Sequence, residues 1–145
     1  MRAIGGIIAG LIVGFLVAIM VGVVVFSAVG TAPPSPASVN LSDPQRVLEI
    51  FAELPVGAKI GLMLAWFGAA LAGAAIAKLI APRSWVAWTV TGLIALYVVA
   101  NIFVLPMPGW MQAVSVAAPL LGGLIANHLV ADRLDPDMAA EDADA

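Results

Sequence analysis

Few side chains in this sequence could take part in chemistry, and none of them has the partners that catalysis needs. His128 is the only histidine, and the chain has no cysteine. A lone histidine at a helix end is usually an interfacial side chain, because a metal site needs several ligands. The serines and threonines have no matching base, so no nucleophilic triad can be assembled. The sequence therefore predicts no enzyme, no metal site and no cofactor.

The apolar segments also lack the charged residues on which ion and proton pathways depend. No Asp, Glu, Arg or Lys occurs between Lys59 and Lys78 or within residues 3–27, 85–105 and 110–130. Charged groups inside a membrane usually mark such pathways. Their absence argues against a proton-coupled transporter, including the small four-helix multidrug exporters, which depend on a glutamate in the first span.

The remaining polar and aromatic residues are interpreted as structural. Tyr97 and Asn101 are four residues apart and share one helix face, and Asn101 is expected to find a partner on another helix. Lys59 and Lys78 are expected to extend their amines to the membrane surface. Trp66 lies far from the interfacial belt, so we interpret it as a packing residue, with the wall of a lipid-facing groove as the alternative.

Composition identifies the solvent of this chain as lipid. Of the 145 residues, 63% are hydrophobic and 10% are charged, and the mean hydropathy is +1.09. A soluble domain of this length could not bury so much apolar surface. The expected fold is all-α, a membrane-embedded four-helix bundle with spans at about 3–29, 57–80, 85–105 and 110–130. Nothing indicates a nucleic-acid partner.

The segments between and after the spans carry most of the charge. Asp43 and Pro44 are typical of a helix start, and a short amphipathic helix is expected at about 44–54, lying in the headgroup layer or, alternatively, serving as a docking surface. The bundle is expected to form one domain, 1–131. Residues 132–145, which hold six of the nine acids, are expected to be a disordered tail.

Small residues recur every fourth position and so form ridges on helices. Close approach through such ridges holds membrane helices together. The second span carries the longest ridge, and Gly10 and Gly14 of the first span are expected to face Ala65 and Ala69. Pro119 is expected to kink the fourth span by freeing the carbonyl of Ser115. The predicted packing residues are Gly6, Gly10, Gly14, Gly22, Gly57, Gly61, Ala65, Ala69, Gly73, Asn101 and Pro119.

Loop charges predict that both chain ends lie in the cytoplasm. With that orientation Arg2, Lys78, Arg83 and Arg133 are inside, whereas Arg46 and Lys59 are outside. The first span is interpreted as an uncleaved anchor, because it is longer than the apolar region of a signal peptide. Cleavage after residues 30–32 is the alternative. With both ends inside, the amphipathic helix is expected to lie outside, in the periplasm if the cell is a Gram-negative bacterium.

Four short motifs carry a resemblance to a known group of proteins. They are Leu41-Ser42-Asp43-Pro44, Leu54-Pro55-Val56-Gly57-Ala58, Ala65-Trp66 with the following Gly/Ala run, and Pro106-Met107-Pro108-Gly109-Trp110. Across residues 1–131 the chain resembles a family of small, uncharacterised four-span bacterial inner-membrane proteins. Members of that family often have histidine at the position of Met107, and its absence here weakens any metal site in that loop. No activity is assigned to the family. The resemblance therefore implies the fold and a location in the inner membrane of a bacterium, and no function.

Two functional hypotheses follow from this inventory. The first is a structural or accessory helix bundle, self-associating or bound to another membrane protein, because the ridges exceed what one bundle needs. The second is a carrier or pore for a small neutral or lipidic molecule, with Asn101 and the kink at Pro119 lining a path. The scarcity of polar residues to line a path disfavours the second hypothesis.

Overall fold

The computed structural model of the protein describes residues 1–30, 45, 49, 52–104 and 107–130. These residues form four long helices, which are α1 (Arg2–Val29), α2 (Val56–Ile80), α3 (Ser84–Val104) and α4 (Gly109–Leu129). The described part of the chain contains no strand. All four helices are long and apolar enough to cross a membrane, which confirms the all-α bundle of membrane-span length.

The helix ends follow from local sequence. Gly30 takes the left-handed conformation, with φ of 71°, and its N–H closes the end of α1 on the carbonyls of Phe26 and Ser27. This is the usual role of a glycine after a helix, because it has no Cβ to be strained. Pro55 and Pro108 precede α2 and α4, and their carbonyls accept from the first helical N–H groups.

Helix α2 is the centre of the bundle, because it contacts each of the other three helices. Its longest seam is with α1, followed by that with α4, whereas α1 meets α3 only lightly. Among the described helices, α1 and α4 do not touch. A core of Ala, Val and Ile joins the faces of α1, α2 and α3, and its members include Ala69, Ala77, Val86, Val90 and Ile94.

The start of α1 and the end of α4 lie at the same end of the bundle. Gly6 of α1 lies beside Ala77 and Val86, near the end of α2 and the start of α3. Lys78 then links this end of α2 to Asn127, in the last turn of α4.

Most of the amphipathic helix expected at 44–54 lies outside the described residues. Within that range, the residues described as helical are Gln45, Glu49, Ala52 and Glu53. The acidic segment 132–145 lies outside them entirely.

Candidate functional site

The seam between α1 and α2 is made by backbone contacts at glycine and alanine. A Cβ placed on Gly10 would lie 2.5 Å from the carbonyl oxygen of Gly73, and one on Gly73 would lie 2.7 Å from that of Gly10. Gly6 and Gly14 have the same relation to the carbonyl oxygens of Ala77 and Ala69, at 2.9 and 2.8 Å. No side chain fits between the helices at these points, so dispersion and weak Cα–H···O contacts hold them together.

At Gly10 the neighbour on α2 lies eight residues, or about two helical turns, from the expected one. Gly14 lies against Ala69, as expected, but Gly10 lies against Gly73 instead of Ala65. The expected pairs cannot both form, because α1 and α2 are antiparallel. A step of four residues up α1 is a step of four residues back along α2.

The other small residues of the two ridges have different surroundings. Gly61 and Ala65 are buried, and a Cβ on Gly61 would overlap the side chain of Val25. Gly22 has no atom within 4 Å of its Cβ position, so α1 has left the close seam there. Gly57, at the beginning of α2, is exposed.

A second seam joins α4 to α2 and α3. Gly122 packs so closely on α2 that a Cβ would overlap the carbonyl oxygen of Phe67, and one on Gly123 would overlap Thr91 of α3. Pro119 is fully buried within α4. One turn before it, the Oγ of Ser115 is buried and has no hydrogen-bond partner in the described part of the chain. The kink expected at Pro119 stays a prediction.

Beyond Gly14 the contacts of α1 with α2 are made by valine side chains, and a groove of about 220 Å³ lies beside them. Three rings form part of its wall: Tyr97 makes edge contacts with Phe15 at 5.4 Å and with Trp66 at 5.5 Å between ring centroids. Gly22 and Gly61 also line the groove, where the absence of a side chain leaves space. We call this cavity the aromatic groove. Trp66 thus both packs in the bundle and lines a groove.

A larger apolar cavity, of about 550 Å³, lies between α2 and α4, and we call it the α2–α4 groove. Phe67 and Trp110 line it together with aliphatic side chains of both helices. Neither Asn101 nor Pro119 lines either groove. The amide of Asn101 donates to the Tyr97 carbonyl at 2.7 Å, within α3, so the expected interhelical bond is wrong for this donor.

Lys78 is buried, which contradicts the expectation that its amine reaches the membrane surface. Its Nζ donates to the backbone carbonyl of Asn127 at 2.8 Å and to the Oδ1 of the same residue at 2.9 Å. The last carbonyls of a helix lack partners within it and carry partial negative charge. A lysine on α2 therefore completes the end of α4. The sequence feature that could have predicted the burial of Lys78 is its position next to Ala77, on the buried side of α2.

His128 is exposed in the last turn of α4. Within the described ranges, no three His, Cys, Asp or Glu side chains are grouped so that they could hold a metal ion. The bundle offers a surface for apolar or amphipathic neighbours. The aromatic groove and the α2–α4 groove are part of that surface and open towards lipid.

No family model matches this chain, and neither a curated protein nor a solved structure does. The resemblance to four-span bacterial inner-membrane proteins therefore stays a prediction.

Proposed function

We propose that the protein is a structural or accessory protein of the bacterial inner membrane, with no catalytic role. It crosses the membrane four times, with both ends in the cytoplasm, and acts through contacts with neighbours in the plane of the bilayer. The four apolar helices support the multi-pass topology. The position of the start of α1 and the end of α4 at one end of the bundle supports placing both termini on one side.

The observation that carries this proposal is the closure of the interior by contacts too tight for a side chain. Gly10 and Gly73 close the α1–α2 seam, and Gly122 does the same between α4 and α2. Both grooves are lined by residues of the apolar spans, and their walls are almost wholly apolar. A path for a solute needs polar groups or a wide lumen, whereas a lateral groove suits an apolar side chain of a neighbouring helix.

Self-association has to use a surface other than the one expected from the sequence. The ridge of α1 is occupied by α2 at Gly6, Gly10 and Gly14, so it is not left over for a second copy. The outward surface of α1 instead carries large aliphatic side chains, and of its described side chains and glycines only Gly6, Gly10 and Gly14 are buried. The aromatic groove adjoins this surface and is the proposed contact site.

The absence of cysteine makes this proposal directly testable with single-cysteine variants. Ile19 and Met20 are matched positions, because both are exposed at the same depth of α1, but only Ile19 lines the aromatic groove. In native membranes, a short bismaleimide is expected to cross-link two copies through Ile19→Cys and not through Met20→Cys. Equal cross-linking at both positions would indicate random collision and would contradict self-association at the groove.

A flux assay separates this function from the carrier or pore. Vesicles that contain the purified protein are expected to swell in glycerol and to lose reporter-lipid fluorescence to dithionite at the rates of protein-free vesicles. Faster swelling or faster lipid exchange in proportion to the protein content would overturn the structural role. Reporter fusions at Ser38 and at the C-terminus test the topology, because they are expected to report opposite sides of the membrane.

A further inference from the structure

A third cavity differs from the two grooves because its lining is largely polar and positively charged. It measures about 270 Å³ and lies where the start of α1 meets the turn between α2 and α3. Arg2 and Arg83 both line it, together with Met1, Ala3, Ala81 and Pro82. The two arginines belong to segments far apart in sequence, so the fold alone brings them to one cavity. We call it the basic pocket.

The basic pocket lies at the level of the lipid headgroups. Arg2 directly precedes the apolar turns of α1, and Arg83 directly precedes α3. Trp85 and Trp88, both largely exposed in the first turns of α3, are residues that favour the membrane–water interface. The positive end of the α3 dipole also begins next to Arg83, and it adds to the attraction for an anion.

We propose that the basic pocket binds the phosphate of an anionic phospholipid. A guanidinium has five N–H donors in a planar fork that fits phosphate oxygens, and it can serve more than one acceptor. Basic pockets between membrane helices are typical sites for anionic headgroups. Ile4 and Trp85, each two residues beyond one of the two arginines, are largely exposed. Apolar surface that acyl chains can contact therefore continues from both arginines into the spans.

This apolar continuation favours a lipid over a soluble phosphate compound. A free phosphate would contact only the arginines, and water would compete for it at an open pocket. A phospholipid gains both the charge-assisted hydrogen bonds at the pocket and the burial of its chains along α1. The proposal does not depend on the self-association proposed above, because the aromatic groove lies at the other half of α1.

The test is a titration of the purified full-length protein in neutral detergent, followed by native mass spectrometry. The probes are phosphatidylglycerol and phosphatidylcholine with identical acyl chains. One phosphatidylglycerol is expected to bind in preference to phosphatidylcholine. Each arginine near a membrane surface contributes about fivefold in affinity for an anionic lipid, so R2Q/R83Q is expected to weaken phosphatidylglycerol binding about 25-fold.

Two control variants keep the result specific to the pocket. K59Q removes a cation at the opposite end of the bundle and is expected to bind phosphatidylglycerol like the wild type. R2K/R83K keeps the charge but loses the planar forks, so its affinity is expected to fall between those of the wild type and R2Q/R83Q. The circular dichroism spectra of R2Q, R83Q and R2Q/R83Q are all expected to match that of the wild type. Such spectra would exclude misfolding as the cause of the weaker binding.

Four outcomes would overturn the proposal. The first is wild-type affinity for phosphatidylglycerol in R2Q/R83Q, and the second is an equal loss of that affinity in K59Q. The third is displacement of the lipid by millimolar inorganic phosphate, which would identify a site for a soluble anion. The fourth is lipid binding that appears only after removal of residues 134–145, because the acidic segment would then be the occupant.

Discussion

Replacing Gly10 by alanine tests the closest backbone contact of the α1–α2 seam. The added Cβ would lie 2.5 Å from the carbonyl oxygen of Gly73 and 2.9 Å from the Cβ of Ala77. A carbon–oxygen contact of this kind is comfortable at about 3.3 Å, so the two helices must separate locally by about 0.8 Å. A gap of that size loses about a quarter to a half of the dispersion energy of each contact across it. We expect Gly10→Ala to lower the free energy of unfolding by about 2 kcal/mol, within the usual range for overpacking.

Gly5→Ala is the matched control on the same helix. Its Cβ position has no atom within 4 Å, and Gly5 is exposed. Alanine is the better helix former, by up to about 1 kcal/mol, so this variant is expected to be as stable as the wild type or more stable. Unfolding by SDS in mixed micelles, followed by far-UV circular dichroism, measures both variants. If Gly10→Ala unfolded at the same SDS fraction as Gly5→Ala, the close seam between α1 and α2 would be wrong.

Three further side chains, those of Lys78, Tyr97 and Ser115, are tested in the same assay, the first two with a control variant. Lys78→Met removes both hydrogen bonds to the end of α4 and is expected to destabilise the protein by about 1–3 kcal/mol, whereas Lys59→Met, which loses one 3.4 Å contact, should stay within about 0.5 kcal/mol. Equal effects would contradict a specific role of Lys78. Tyr97→Leu loses two edge-on ring contacts and should cost about 1–2 kcal/mol, whereas Tyr97→Phe keeps both rings in place and should be near neutral. Ser115→Ala removes a buried hydroxyl that lacks a partner and is expected to be neutral or stabilising by up to about 1 kcal/mol, so a clear loss of stability would reveal a hydrogen bond there.

The helices themselves could be predicted from the sequence to within one residue at each end. The expected second span, 57–80, corresponds to α2 (Val56–Ile80), and the expected fourth, 110–130, to α4 (Gly109–Leu129). Length and hydropathy are sufficient here, because a helix that crosses the bilayer must satisfy its own backbone and cover about 30 Å with apolar residues. The prolines and glycines between the helices fix the ends.

The register in which the helices pack was harder to predict from the sequence, because the ridges of small residues repeat. A ridge that repeats every fourth residue looks the same after a shift of one or two turns. Small residues alone therefore do not choose between Gly73 and Ala65, which are about two turns apart, as the neighbour of Gly10. Larger side chains remove this ambiguity. Val25 packs against Gly61, and Val17 and Val21 lie near Gly68, so these side chains fix the far end of the seam.

Lys78 illustrates what a single sequence leaves open. A lysine one turn from a helix end can extend to water, and only the position of another helix decides whether it does. Here the end of α4 lies level with Lys78, and the carbonyl groups that need a donor are those of Asn127. The buried amine satisfies groups inside the bundle, whereas Arg2 and Arg83 line a cavity that opens outwards. The cations of this end therefore have separate roles: Lys78 joins α2 to α4, and the two arginines present the charge that a lipid headgroup meets.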